Sequence, residues 1–103
     1  MTERTAEEWG RLAVSLPGWR WMPGIQTLPL WSGTPDPDDP ATAGCLLALL
    51  GPLGLVMDAL SKAGRMDIWS ALMGALMHDP PALGRACIAV AVALGQWPGV
   101  GNK

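Results

Sequence analysis

Apolar residues recur along most of this chain at helical intervals, and the exceptions fall together near the amino end. Trp9, Leu12, Ala13 and Leu16 stand at spacings of three and four, one stripe of an amphipathic helix. Thr5 and Glu8 precede them in a capping-box pattern, and Pro17-Gly18 stops the helix. From Trp19 to Met22 the period changes to two, which places Trp19 and Trp21 on one face of an extended segment and Arg20 and Met22 on the other. Ile25 to Trp31 also reads as extended, so a turn at Pro23-Gly24 predicts a short hairpin, with Pro29 confining the second strand to an edge. Ser32 to Asp39 carries two prolines, three acids and no apolar period, and is predicted to be a loop.

Helical patterning then returns. Asp39-Pro40 combines an N-cap with proline at the first helical position and predicts a helix to Leu50, broken by Gly51-Pro52. Pro52 is placed at the first position of the next helix, which carries Leu53, Val56, Met57 and Leu60 and stops near Gly64. Asp67 is the candidate N-cap of a helix carrying Ile68, Leu72, Met73, Leu76 and Met77, ended by His78 and Asp79. Asp79-Pro80 opens a last helix, Ala82 to Leu94, apolar almost all round and closed by Gly95. The two Asp-Pro starts each precede a glycine (Gly44, Gly84) and a cysteine (Cys45, Cys87), either by shared capping chemistry or by duplication of a helical hairpin. Glycines 44, 74 and 84 inside helices each cost up to about 1 kcal/mol relative to alanine, and close helix-to-helix approach is the expected compensation. The predicted fold is mainly α: a single domain over residues 1–103, with about five helices and a short Trp-rich hairpin or extended segment. An α+β arrangement is the alternative.

Composition narrows the function classes. Half of the 103 residues are apolar and 16% are charged, too little polar surface to cover the chain comfortably, so a homo-oligomer or a buried partner surface is expected. Net charge is −2 and the seven basic residues are scattered, which argues against duplex nucleic acid. The uncharged run from Pro40 to Met57 is interrupted at Gly51-Pro52 and falls short of the roughly 20 residues a membrane span needs; no signal peptide is read at the N-terminus. The two cysteines lie in apolar helical runs without metal-ligand spacing and are read as reduced and buried, a disulfide requiring the two helices to pack side by side.

No catalytic constellation is visible. His78 is the sole histidine and stands without a second ligand, and the serines lack a nucleophile-elbow context. Asp36, Asp38 and Asp39 lack the calcium-loop pattern and are better explained by capping and loop solvation. Met57, Met66, Met73 and Met77 read as core filler, an adaptable interface being the alternative. The chain is therefore read as no enzyme, with no cofactor and no metal. Its candidate ligand-binding residues are Trp19, Arg20, Trp21 and Trp31, drawn from the six tryptophans that are its only aromatics. They serve either as packing or as a platform on which a nucleobase stacks while Arg20 contacts phosphate.

Two segments, Leu16-Pro17-Gly18-Trp19-Arg20-Trp21-Met22-Pro23-Gly24 and Asp39-Pro40-Ala41-Thr42-Ala43-Gly44-Cys45-Leu46-Leu47-Ala48-Leu49-Leu50, resemble those of a family of small proteins encoded by bacteriophages and prophages. The chain departs from that pattern in its short Ile25 to Gly33 segment, where similar sequences carry a longer hairpin. The resemblance implies a counter-defence protein working by binding in the cytoplasm of the infected bacterium. Joined to the tryptophan platform, it predicts sequestration of a nucleotide-derived immune signal. The alternatives are inhibition of a host defence protein through the same apolar surface, or a small hydrolase degrading the signal.

Overall fold

In the computed structural model, which describes residues 4–28 and 31–98 and of residues 31 and 32 only the backbone, the chain is mainly helical with one small hairpin. Its elements are α1 (Ala6–Ser15), β1 (Thr27–Leu28), β2 (Trp31–Pro35), α2 (Pro40–Leu50), α3 (Leu53–Lys62), α4 (Met66–His78), a 3-10 turn (Pro80–Ala82) and α5 (Leu83–Leu94). The radius of gyration, 12.6 Å, is that of a folded chain, about 13 Å for 100 residues.

The last helix, predicted to be apolar almost all round, lies at the centre. α5 packs on α1, α2, α3 and α4, and its Cys87, Ile88, Val90 and Ala91 are buried. Against them lie Leu46, Leu49 and Leu50 of α2, Val56 and Leu60 of α3, Leu72 of α4, Ala13 of α1 and, beyond the last helix, Trp97. Among the described residues no single helix is long and apolar enough to cross a membrane, and α2 and α3 qualify together only as a pair bent by 68°.

Several helix ends form as their sequences dictate. Thr5 and Glu8 close a reciprocal capping box, the Glu8 N–H donating to Thr5 Oγ1 (3.2 Å) and the Thr5 N–H to Glu8 Oε1 (2.7 Å). Asp39 Oδ2 accepts from the N–H groups of Ala41 (3.0 Å) and Thr42 (3.1 Å), and α2 ends at Gly51. Gly95, left-handed at φ +79°, closes α5.

Other ends differ from expectation. Pro52 is the N-cap of α3 and not its first helical residue. Arg65, not Asp67, occupies the N-cap position of α4; Asp67 lies in the first turn and takes the Arg65 guanidinium on both oxygens (3.1 and 3.2 Å), a hydrogen bond that holds its carboxyl below the usual range. Asp79 caps nothing with its side chain, because Pro80–Ala82 winds as a 3-10 turn before α5 begins at Leu83.

The hairpin also lies elsewhere. The turn at Pro23-Gly24 forms, with the Ile25 N–H donating to the Met22 carbonyl (3.1 Å), but residues 19–22 are not a strand. The ladder instead joins Thr27–Leu28 to Trp31–Pro35, antiparallel, with an irregularity between the pairs Thr27–Pro35 and Leu28–Trp31. The first half of the predicted loop is thus β2, held because α1 packs on it and buries Thr34 and Pro35. Beyond the ladder, the Gln26 carbonyl accepts from the Asp36 N–H (2.8 Å) and the Gln26 N–H donates to Thr42 Oγ1 (2.7 Å), tying the hairpin to α2. The edge position foreseen for Pro29 lies outside the described residues.

Of Gly44, Gly74 and Gly84, the helical glycines for which close approach is expected, only Gly84 meets a close neighbour, and it is a loop. A Cβ there would stand 1.8 Å from the Pro37 carbonyl oxygen, so α5 touches the segment preceding α2 backbone to backbone; Gly44 and Gly74 face open space. Arg85 strengthens the same junction, donating from Nε and Nη2 to the two Asp38 oxygens, each at 2.8 Å. Four methionines correct the core-filler reading: Met57, Met66 and Met77 are exposed, Met77 at 71%, and of the four only Met73 packs against the core.

Candidate functional site at the tryptophan loop

Three indoles form a series from the core to the surface at the loop that follows α1. Trp97 is fully buried; its indole N–H donates to the Ala13 carbonyl (2.9 Å) and its backbone N–H to the Pro17 carbonyl (2.9 Å). These bonds clamp the segment that follows α5 against the end of α1. Gly18 makes the contact possible twice over: its φ is +89°, and a Cβ there would lie 2.7 Å from the Trp97 carbonyl oxygen. Trp19 packs on Trp97 with ring centroids 5.8 Å apart, and Trp21 meets Trp19 edge to face at 5.3 Å and 87°.

The four residues singled out in the sequence divide accordingly. Trp19 is half-buried against the core cluster, so packing is its main role. Its indole N–H is buried without an acceptor, which costs about 1–3 kcal/mol. Trp21 is 51% exposed and projects beyond the support that Trp19 provides. Arg20, between them, is exposed and has no carboxylate partner among the described residues. Trp31 is in β2, opposite Leu28, and its side chain lies outside the described residues.

The edge-to-face angle decides what this arrangement can hold. Two indoles at 87° offer no parallel slot, so a base cannot be sandwiched between them. Stacking on Trp21 contributes about 1–3 kcal/mol and a charged hydrogen bond from Arg20 about 1.5–3 kcal/mol. Their sum is at most about half of the roughly 12 kcal/mol that nanomolar binding requires.

The three aspartates before α2 are engaged in structure. Asp36 Oδ1 accepts from the Asp38 N–H (3.0 Å), Asp38 holds Arg85 and Asp39 caps α2, as the capping and loop reading anticipates. Among the described residues, no group of three or more His, Cys, Asp or Glu side chains is placed to hold a metal ion. His78 is exposed as the last residue of α4. Both cysteines are free thiols; Cys87 is buried as expected, but Cys45 is only half-buried, its Sγ 3.5 Å from the Pro23 carbonyl oxygen.

Sequence reasoning missed Trp97, the residue that anchors the site. The available signal was a tryptophan placed just after a helix-ending glycine in a chain without Phe or Tyr. Comparison with protein-family models, with curated proteins and with solved structures finds no match for this chain.

Proposed function

We propose that the protein is a non-catalytic binding protein whose working surface is the Arg20–Trp21 edge, and that its partner is a protein. The observation that carries this is a half-exposed indole, buttressed by two others, beside a guanidinium that no carboxylate among the described residues neutralises. Tryptophan and arginine dominate interface hot spots, and a pre-positioned ring loses little entropy on binding. A protein interface of about 1,600 Å² supplies the interactions that one exposed ring and one arginine lack. With the phage-type motifs, the reading becomes inhibition of a host defence protein in the bacterial cytoplasm.

A second reading, sequestration of a nucleotide-derived signal, is favoured by the same exposed Arg20, which has no carboxylate partner among the described residues. It requires a second copy of the chain to cover the free face of a base stacked on Trp21, because one protomer is too weak on the magnitudes above.

The readings separate when the purified protein is mixed with an extract of defended bacteria, re-isolated and heated. A discrete host protein retained by the wild type, with Kd raised roughly 30-fold or more by Trp21→Ala and by Arg20→Glu, supports the protein-partner reading. A small molecule released intact by heat, with no protein retained, replaces that reading with sequestration. A chemically altered nucleotide overturns the non-catalytic assignment.

A further inference from the structure

A trough of about 260 Å³ lies where α1, α4 and α5 meet, away from the tryptophan loop. Ala89, Val92 and Ala93 of α5 make its floor, and Trp9 and Ile68 contribute further apolar surface. Spacings of three and four put the α5 residues on one helix face, and two alanines there leave the hollow. Val92 is 38% exposed in it, a branched apolar side chain left facing water.

The polar groups that line the trough are cationic. Arg4 and Arg65 stand in it, while the aspartates and glutamates of the chain are not among its lining residues. Arg65 is partly neutralised by Asp67, but Arg4 has no carboxylate partner among the described residues. Arg4 is nevertheless fixed at both ends. Its guanidinium carbon lies 5.2 Å from the centre of the Trp9 ring, and its backbone carbonyl accepts from Arg85 Nη1 at 3.3 Å. A positioned cation over an apolar hollow costs less to engage than a free side chain.

From this complementarity we infer that the trough is a binding site for a small planar anion, an aromatic ring bearing a carboxylate, sulfonate or phosphate. The ring lies on Ala89, Val92 and Ala93, and the anionic group meets Arg4. The volume stands just below the roughly 300–1,000 Å³ of drug-sized sites, so it takes one ring system with its substituent. This site is independent of the Arg20–Trp21 edge.

Two probes of matched shape test it: 1-naphthalenesulfonate and the neutral 1-naphthalenemethanol, each titrated into the isotopically labelled protein and followed by amide and indole chemical shifts. The expected result is saturable shifts at Ala89, Val92, Ala93 and the Trp9 indole, with the sulfonate bound at least fivefold tighter than the alcohol. Arg4→Gln should weaken the sulfonate at least fivefold and leave the alcohol unchanged. Val92→Glu should abolish sulfonate binding, and Trp21→Ala should leave it intact; if Val92→Glu does not fold, Arg4→Gln decides. Equal affinity for the two probes, shifts centred on Trp21, no saturation, or indifference to Arg4→Gln overturns the inference. Failure of the trough leaves the protein-partner reading of the Arg20–Trp21 surface standing, because the partner experiment judges that reading by itself.

Discussion

Cys45 and Cys87 lie on helices that pack together, yet their thiols meet unlike surroundings. Desolvation within the core pushes the Cys87 thiol up to about 12, so almost none of it is thiolate near neutral pH, and the side chain is fully enclosed. Cys45 is half-buried beside Pro23 at the border of the tryptophan loop. With a chromogenic disulfide reagent at pH 8, the folded protein should release the equivalent of one thiol quickly, and the second only when denaturant is added. Equal rates for both would contradict the packing of α5. The tryptophans show the same dependence on surroundings. Trp19 and Trp21 were equivalent in an alternating strand, and nothing local distinguishes them; contact with Trp97, far along the chain, makes one a packing residue and leaves the other exposed.

Helix caps extend the contrast to whole elements, because two identical dipeptides do different work. Asp39 accepts two backbone N–H groups at the start of α2, whereas Asp79 accepts none with its side chain and is followed by a 3-10 turn. Asp39→Ala should therefore cost about 0.5–2 kcal/mol in urea unfolding. Asp79→Ala, at an exposed position, should stay within about 0.5 kcal/mol. Equal losses would restore the view that both Asp-Pro pairs are caps of one duplicated unit. The helices were legible because each buries a stripe at its own period and ends at Pro or Gly, signals contained within a dozen residues. The hairpin was not. Ser32-Gly33-Thr34-Pro35 has poor strand propensity and is extended because α1 lies over it, a tertiary cause that overrides local preference. Asp67 was misplaced for a local reason: the helix begins at Met66, and the Asp67 side chain takes the guanidinium of Arg65 two residues back.

On the scale of the molecule, the candidate site is a product of chain closure. The loop after α1 has neither a strand nor a helix to hold it; its geometry comes from Trp97, which bonds to Ala13 and Pro17 and carries the Trp19 ring. Removing that indole leaves a cavity, orphans the Ala13 carbonyl and frees the support of Trp19 and Trp21 together. Trp97→Ala should cost about 3–5 kcal/mol, a large part of the roughly 5–15 kcal/mol that holds a domain of this kind folded. Trp21→Ala removes a half-exposed ring that buries little and should cost well under half as much. Denaturant midpoints of the two variants, each compared with wild type, measure the difference. Amide exchange on Trp97→Ala then shows where it acts: protection should fall at Ala13 to Trp19 along with the end of α5, while α3 and α4 keep theirs. Were the loss instead spread evenly over all five helices, Trp97 would be an ordinary core residue, and the rigidity of the Arg20–Trp21 edge would need another source.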